Sequence, residues 1–593
     1  MPAIEYTITP NDLNGHRFDV ELLIKNPNPD GQRIQLPSWI PGSYLIRDFS
    51  KQIESITAFS GKKTNQVVHL KKINNSTWEI PPMTEEVCIK LTVYAFDTSV
   101  RTAYLDPERG FYNHSSLCLQ VLGQGHMPCL VTIKQTPQTK FWEVATTLYK
   151  RDVNANGFGS YIAANYDELI DQPVALGTFT KVQWRSYGIK HQMVIQGLLS
   201  SIDKTRLQND LKRICDGHIS FFDPRQKRAP FKEYLFLVNT VGNGYGGLEH
   251  RSSTALLCNR SDLPMVRLKT GELPNQTDYE NFLGLCSHEY FHSWIVKKVQ
   301  PKTFQPYVLD RKNYTDLLWL FEGFTSYYDD LQLFRTGCIT REKYLKRILN
   351  SWNGVLRGPG RLKQSVADSS FDAWTKYYQT DENTPNSVVS YYAKGSLVAL
   401  ALDLEIRNFT NQRKSLDDVM RALWKKHGAW GNHPGIGIDE SDFKQIVLQT
   451  VGESFSSIWK NFSKIYIHGT KEMPIEALLA TQNIYVRPKK NTPLDEIKST
   501  LGIRTSNSDG WLKVTHVLDH GCAKLSGLAA GDLIASINQE RVTPDRWDNL
   551  LKNLNSTQIS LNVFRHDSEV QLKLKLSGKT QTQYELSPEN NKP

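Results

Sequence analysis

The stretch S-H-E-Y-F-H-S-W at residues 287–294 says most about the fold and chemistry of this 593-residue chain. It contains the pattern H-E-x-x-H, with His288 and His292 four residues apart. On a helix, positions i and i+4 are about 40° apart around the axis, so both imidazoles project from one face. Two neutral imidazoles at this spacing supply half of a tetrahedral zinc site. Glu289 is then placed to accept a proton from a water molecule that the metal activates.

The residues around this motif are typical of a buried helix. Thr277 and Glu280 have the spacing of a capping box, which predicts the start of the helix. Residues 281–298 contain no proline and are largely apolar, and Lys297 and Lys298 suit a helix C-terminus. Taken alone, the motif also fits a buried helix with two hydrogen-bonded core histidines.

A third metal ligand is expected further along the chain, because a catalytic zinc site has three protein ligands and one open position. Glu322 is an isolated carboxylate within the apolar run L-W-L-F-E-G-F-T-S-Y-Y at 318–328. An unpaired buried carboxylate is costly, and a metal ion compensates its charge. The alternative is an amphipathic helix on which Glu322 faces water together with Asp329 and Asp330. The presence of H-E-x-x-H favours the metal ligand.

Composition and charge are those of an ordinary globular protein. Hydrophobic residues make up 39% of the chain, and the formal net charge of +10 is spread along it, which argues against nucleic acid as a partner. The N-terminus has no charged segment followed by an apolar core, and no apolar run approaches the roughly 18 residues of a membrane span. The eight cysteines are scattered without a C-x-x-C pair, which predicts free thiols. We therefore expect a cytoplasmic protein that binds neither membrane nor nucleic acid.

The hydrophobic pattern divides the chain into regions of different character. Residues 1–170 show the period-2 alternation of strands, for example at 18–24 and 87–95, and a β-sandwich is the simplest architecture for them. Residues 171–480 combine a few buried strands with long helical patterns. The strands are predicted at 234–238 and 252–258, and the helices at 342–352, 391–408 and 416–427.

Strands return in residues 481–578. They are predicted at 511–518, 559–564 and 570–576, and Thr543-Pro544 is expected to begin a helix that continues to Leu554. The polar residues 579–593 are expected to form a disordered tail.

Several longer motifs together carry a resemblance to a known family. They are P-G-S-Y-L-I-R-D at 41–48, G-G-L-E-H at 246–250, H-E-Y-F-H-S-W at 288–294 and L-L-W-L-F-E-G-F-T-S-Y-Y-D-D at 317–330. With them, the chain resembles the PDZ-containing glycyl aminopeptidases, a family of gluzincin zinc metallopeptidases. Residues 526–538, S-G-L-A-A-G-D-L-I-A-S-I-N, are similar to a PDZ signature. The resemblance implies a multidomain α+β protein with an N-terminal β-sandwich, a thermolysin-like catalytic domain with a helical part, and a C-terminal PDZ domain.

The resemblance also implies roles for individual residues. One zinc ion per chain would be held by His288, His292 and Glu322, with Glu289 as the general base. Glu322 follows His292 by 30 residues, a longer spacer than in the wider aminopeptidase group and one expected in the glycyl branch.

Two further motifs suggest how a substrate would be bound. Gly247 and Glu249 belong to a strand motif whose glutamate binds the α-ammonium group of the substrate in the wider group, although His250 stands where that group has asparagine. Tyr392 resembles the tyrosine that stabilises the oxyanion, with Tyr391 as an adjacent competitor. Outside the resemblance, Glu249 would be an ordinary edge-strand carboxylate and Tyr392 a core aromatic.

The function implied is a zinc aminopeptidase, a peptide hydrolase that removes N-terminal residues, glycine or alanine, from peptides with a free N-terminus. The alternative is an inactive or weak metallopeptidase scaffold that binds peptides through its PDZ domain, with residues 501–504 holding a peptide C-terminus. The intact Glu289 favours the enzyme, since a scaffold has no chemical need for it. An endopeptidase is disfavoured because Glu249 would block the cleft on the amine side.

Overall fold

The chain divides into two compact units. The computed structural model describes residues 2–61, 66–266, 275–431, 434–578 and 581–588. One unit comprises Met1–Asn313, Tyr328–Thr340 and Met420–Phe443, and the other comprises Tyr314–Tyr327, Arg341–Val419 and Lys444–Pro593.

The N-terminal region of the first unit is built from β-sheets. The largest has the strand order Tyr149–Val153, Gly159–Ala163, Cys129–Ile133, Ile4–Asp12, Arg17–Ile24, Val87–Tyr94, Ile53–Ser60, Val67–Val68. Another has the order Glu143–Ala145, Val174–Gly177, Arg109–Tyr112, Ala103–Leu105. A further sheet has the order Gln120–Val121, Gln32–Gln35, Thr77–Ile80, Lys71–Lys72.

The alternating apolar residues of this region account for its strands. Phe18, Val20 and Leu22 are at most 1% exposed, whereas the polar residues between them are only partly covered, as period-2 patterning requires. The predicted strands at 18–24 and 87–95 correspond to Arg17–Ile24 and Val87–Tyr94, which pair with each other in antiparallel register. This agreement supports the N-terminal β-sheet domain expected from the sequence.

A five-stranded mixed sheet follows in the first unit and contains the strand motif with Gly247 and Glu249. Its strand order is Thr180–Ser186, Ile189–Gln196, Glu233–Val241, Ser253–Asn259, Gly246–Glu249. The three central strands are parallel, and Gly246–Glu249 is an edge strand that runs antiparallel to its neighbour. The helices of this unit include Tyr166–Ile170, Lys204–Phe222 and Gln276–Phe291.

The second unit is largely helical before its C-terminal β domain. Its helices include Leu318–Phe321, Arg341–Leu356, Val366–Phe371, Thr384–Ser387, Ala393–Phe409, Ser456–Phe462 and Ile475–Ala480. Some helices contribute residues to both units, namely Gly323–Arg335, Leu416–His427 and Glu440–Val451. The helices predicted at 342–352, 391–408 and 416–427 are all present, with ends that lie within four residues of the expected ones.

The C-terminal β domain has its own apolar core. Its sheet has the order Ile503–Ser508, Trp511–Val517, Leu533–Ile537, Gln558–Arg565, Ser568–Lys575, with Glu540–Arg541 paired to Leu533–Ile537. The helices Pro493–Leu501, Cys522–Leu525 and Trp547–Lys552 accompany it. The helix expected to begin at Thr543-Pro544 begins instead at Trp547, because the backbone at Thr543 forms a turn whose carbonyl accepts from the N–H groups of Arg546 and Trp547.

Part of the predicted disordered tail is a strand. Tyr584–Leu586 pairs with Val486–Pro488 in antiparallel register, so the prediction is wrong for these residues. The Asn353 amide donates to the Tyr584 carbonyl and accepts from its N–H, each at 2.8 Å, while the rings of Trp352 and Tyr584 stack at 4.1 Å. These contacts offset the entropy of ordering a polar segment. Residues 579, 580 and 589–593 lie outside the described residues.

The eight cysteines confirm the prediction of free thiols. All of them lie in described ranges, and Cys286 is buried on the motif helix. Within the described ranges, no helix is long and apolar enough to cross a bilayer.

Candidate metal centre and peptide site

The helix that carries the H-E-x-x-H motif runs from Gln276 to Phe291. The predicted capping box does not form, because Thr277 already lies inside the helix and the N-cap residue is Asn275, with a left-handed φ of 56°. His292 stands at the C-cap but keeps right-handed helical angles, and its N–H lies 3.3 Å from the carbonyl of His288. The imidazoles of His288 and His292 therefore project from the same face of the helix, although His292 lies at its end.

The helix ends earlier than the sequence predicts. Val296 has a φ of 86°, and the chain turns away before the two lysines that were expected to terminate the helix. Lys297 is buried, with its Nζ 2.6 Å from Asp171 Oδ1, and the buried Lys298 donates to the carbonyl of Gly431. Burial lowers the pKa of Lys298 to about 7. Both lysines are thus interior hydrogen-bonding groups and do not cap a helix.

Three side chains singled out from the sequence come together. One ring nitrogen of His288, one of His292 and one carboxylate oxygen of Glu322 all lie within 4.8 Å of one another. Glu322 is 2% exposed and His292 is 1% exposed, so the alternative in which Glu322 faces water is wrong. Two imidazoles and a carboxylate form the donor set of a catalytic zinc site with one open position.

The hydrogen bonds of the two rings show that a cation fits between them. His292 Nδ1 lies 2.9 Å from the Ile295 carbonyl, which only accepts, and His288 Nδ1 lies 2.9 Å from the Asp329 carboxylate. Both Nδ1 atoms therefore carry protons, and in neutral rings both Nε2 atoms present lone pairs. These Nε2 atoms are 3.1 Å apart, near the separation of about 3.3 Å given by two 2.05 Å bonds at a tetrahedral metal.

Asp329, which was expected to face water only in the alternative to the metal site, contacts the His288 ring. It follows Glu322 by seven residues, which is about two helical turns, and this spacing was the available signal. A second chain of bonds supports the same helix: Ser287 Oγ donates to the Asp329 carbonyl at 3.0 Å and lies 2.9 Å from His218 Nε2. Such outer contacts fix the tautomer and orientation of a metal-binding histidine.

Glu289 and Gly247 are in close contact. A methyl group at Gly247 would lie 2.1 Å from Glu289 Oε1, far inside van der Waals contact, so only glycine allows this packing. Glu289 is 5% exposed and lies over the edge strand Gly246–Glu249. The edge strand Gly246–Glu249 and the helix that carries H-E-x-x-H are therefore in direct contact at Gly247.

Glu249, at the end of the same edge strand, is a buried carboxylate in contact with the N-terminal region. A methyl group at Gly42 would lie 2.6 Å from both carboxylate oxygens, and Gly42 has a φ of 96°, so glycine is needed there on two counts. Glu249 Oε1 has no hydrogen-bond partner within the described ranges. The motif P-G-S-Y at 41–44 thus contacts Glu249 through Gly42, a contact that the sequence did not reveal.

A buried charge network lies next to Glu249. Asp171 contacts Lys297 and lies 3.8 Å from Arg251 Nε and 3.6 Å from His250 Nδ1. Burial alone would raise the pKa of Asp171, but the charges of Lys297 and Arg251 hold it well below its usual value. Burial lowers the pKa of Lys297, whereas Asp171 and then Glu249 raise it, with a net increase. His250 therefore packs beside this network, and burial lowers its pKa.

The structure distinguishes the two adjacent tyrosines. Tyr391 is fully buried, whereas Tyr392 is half-buried at the N-terminus of helix Ala393–Phe409, with its hydroxyl 3.4 Å from that of Tyr378. Tyr377, which the sequence analysis missed, has its ring centroid 4.7 Å from that of Tyr391 and 5.7 Å from that of Tyr392. Burial raises the pKa of Tyr377, a hydrogen bond with Ser390 lowers it, and the Glu322 charge raises it further. The aromatic cluster therefore contains more than one candidate hydroxyl.

Replacing Asp329 with Asn should weaken metal binding about 10- to 100-fold, because the amide no longer holds the His288 ring as a charged acceptor. Titration of the metal-free protein with Zn²⁺ in a competing chelator measures this change. Asp316→Asn, at an exposed carboxylate two residues before Leu318, is the matched control and should bind as wild type does. Equal affinities of all three proteins would contradict the role of Asp329.

The comparisons with known proteins agree with this geometry. The family model described as the Peptidase M61 N-terminal domain matches residues 5–178, and the model described as M61 glycyl aminopeptidase matches residues 281–398. Among curated proteins, none matches the chain with significance.

Solved structures give the broadest similarity. A crystal structure of an aminopeptidase N family protein from Idiomarina loihiensis is 37% identical, with 98% of each chain covered and a TM-score of 0.88. An M1 zinc metallopeptidase from Deinococcus radiodurans is 11% identical, covering 79% of this chain and 94% of its own, with a TM-score of 0.45. Native yeast LTA4 hydrolase is 12% identical, and the match covers 84% of this chain and 71% of the hydrolase, with a TM-score of 0.48. The last two similarities are too weak to support an assignment. Similarity over the whole chain to the first structure, the matching models and the converged His-His-Glu set place this protein in the M61 glycyl aminopeptidase family of metallopeptidases.

Proposed function

We propose that this metallopeptidase is a zinc-dependent aminopeptidase that removes one residue, glycine or alanine, from the free N-terminus of a peptide. The observation that carries the proposal is Glu249, a buried carboxylate whose Oε1 lacks a partner within the described ranges. An unpaired buried carboxylate is costly, so a cationic ligand is expected to complete it. The α-ammonium group of a peptide supplies that charge.

The edge strand supports removal of a single residue. A peptide that adds antiparallel to Gly246–Glu249, with its N-terminus at Glu249, passes Gly247 two residues later. At about 3.3 Å per residue, this distance is roughly 7 Å, the length of two residues, so the first peptide bond lies between the positions of Glu249 and Gly247. Glu289 lies against Gly247, so the base is next to that bond.

Each residue has a chemical task in this proposal. His288, His292 and Glu322 would hold zinc, which supplies polarisation of the scissile carbonyl and a lowered pKa for the attacking water. Glu289 accepts the proton of that water and delivers it to the leaving amine. Glu249 fixes the position of the free N-terminus.

Tyr392 is the proposed donor to the oxyanion. Tyr392 is half-buried, whereas Tyr391 is fully buried and belongs to the core. A hydroxyl aimed at the developing negative charge contributes most in the transition state.

The small residue preference rests on family membership and on one contact. The backbone at Gly42 lies against the Glu249 carboxylate, and the residues flanking it, Pro41 and Ser43, are buried. A substrate bound to Glu249 therefore meets a closely packed loop at its first residue, which favours side chains no larger than a methyl group.

The finer domain assignment belongs to the same proposal. It comprises a β-sandwich at 1–170, a thermolysin-like catalytic domain at 171–480 and a PDZ domain at 481–578. In the last, a groove of about 380 Å³ lies beside strand Ile503–Ser508 and is lined by residues that include Leu501, Thr505, Pro544 and Trp547. This groove favours a second function, the binding of a peptide C-terminus.

The amine-binding role is tested with glycyl peptides that are free or N-acetylated. We expect the zinc-loaded wild type to cleave only the free peptides, and Glu249→Gln to lower kcat/KM about 10- to 100-fold, mainly through KM, because a charge-assisted bond is lost. Glu233→Gln, at an exposed carboxylate of the same sheet, is the control. Glu289→Gln should retain one zinc and lose turnover. Cleavage of acetylated peptides at the wild-type rate would refute the proposal.

Gly247→Ala should lower kcat by on the order of 10² while zinc content is unchanged, because the new methyl group displaces the Glu289 carboxylate from its proton-transfer position. The matched control is Gly242→Ala, since a methyl group there has its nearest neighbour 3.9 Å away, at Arg260 Nη1. A fully active Gly247→Ala enzyme would show that the position of Glu289 on this strand is unimportant.

The tyrosines are tested by removing one hydroxyl at a time. Tyr392→Phe should lower kcat by on the order of 10²–10³, the effect of losing one oxyanion donor, with KM nearly unchanged. Tyr391→Phe and Tyr377→Phe should have much smaller effects. If one of these two shows the large decrease instead, the assignment to Tyr392 is wrong.

A further inference from the structure

Arg101 lies at the other end of the edge strand from Glu249. Its Nη2 donates to the carbonyl of Gly247 at 3.2 Å, and a methyl group built on Gly246 would lie 3.6 Å from Nη1 and 3.7 Å from Nη2. The guanidinium group therefore covers the first two residues of the strand, on the path that a bound peptide takes after its first peptide bond.

Among the described residues, no carboxylate balances the charge of Arg101. Its buried Nε also has no hydrogen-bond partner there. The side chain as a whole is only partly covered, so further donors remain available to a ligand. A guanidinium group with free donors is suited to a carboxylate, which it binds through two parallel hydrogen bonds.

The loop that carries Arg101 is held in place on both sides. The side chain of the fully buried Asn113 donates to the carbonyls of Val100 and Thr102, at 3.0 and 3.3 Å. Asp97 accepts from the N–H of Ser99 at 2.8 Å at the start of the same loop. A preorganised loop loses little conformational entropy when a ligand binds, which favours a binding role for its side chain.

The separation between the two charged groups matches a short peptide. Three residue steps from Glu249 to Gly246 span about 10 Å along the strand. An extended tripeptide, at roughly 3.3–3.6 Å per residue, covers the same distance from its ammonium group to its terminal carboxylate. A tripeptide bound antiparallel to the strand would therefore place its two charged ends at Glu249 and Arg101.

We propose that Arg101 binds the terminal carboxylate of short peptides, which makes tripeptides with a free C-terminus the preferred substrates. This inference rests on the proposed function, since it requires a substrate N-terminus at Glu249. Longer peptides carry their carboxylate beyond Arg101 and gain nothing from it.

The test compares triglycine with triglycine amide, and pentaglycine with its amide, on the zinc-loaded full-length enzyme. We expect wild type to have a kcat/KM about tenfold higher for the acid than for the amide of the tripeptide, and a ratio near one for the pentapeptide. In Arg101→Ala, the ratio for the tripeptide should fall to near one. Arg185→Ala is the control, because Arg185 is an exposed arginine that also donates to one backbone carbonyl, that of Gly188, and it should keep the wild-type ratio.

The outcomes separate the two proposals. Cleavage of the tripeptide acid and amide at equal kcat/KM by wild type, or an unchanged ratio in Arg101→Ala, would overturn the role of Arg101 and leave the aminopeptidase intact. Failure of the wild type to cleave any of the four substrates would overturn both.

Discussion

The site depends on two imidazole lone pairs that face each other across 3.1 Å. The Ile295 carbonyl and the Asp329 carboxylate each hold a proton on the far side of a ring, so neither ring is able to relieve the repulsion by changing its tautomer. The nearby Glu322 carboxylate adds negative charge to the same space. A divalent cation satisfies all three groups at once, and this is why the motif helix, the acidic segment and their hydrogen bonds belong together.

The edge strand Gly246–Glu249 organises the remainder of the site around that centre. Its glycine at 247 allows Glu289 to lie against the backbone, and its terminal carboxylate at Glu249 is covered by the backbone at Gly42. Both contacts are closer than any other residue permits. Close approach of the backbone to the Glu289 and Glu249 carboxylates therefore explains the glycines of two motifs that are far apart in the sequence.

The sequence was most informative where a function depends on local spacing or on a contrast in polarity. His288 and His292 are related by one helical turn, and Glu322 is an acid in an apolar run, so both features can be recognised without knowledge of the fold. Arg101 and the contact of Gly42 with Glu249 were not found, because both depend on neighbours about 150 to 200 residues away in the chain. Lys297 was misinterpreted for the same reason: its partner, Asp171, is distant in sequence, and an isolated lysine near a helix end suggests a cap. Strands with clear alternation were predicted within a few residues, while helix ends determined by backbone turns, as at Asn275 and Thr543, were not.

The pairing of Tyr584–Leu586 with Val486–Pro488 has a consequence for the C-terminal β domain that lies between them in the sequence. The strand that precedes the domain and the strand that follows it are neighbours in one small sheet. The domain is therefore an insertion whose two ends are tied together, and the amide of Asn353 anchors this tie to a helix of the same unit. Without Tyr584–Leu586, the edge of Val486–Pro488 would be open to strands of other molecules.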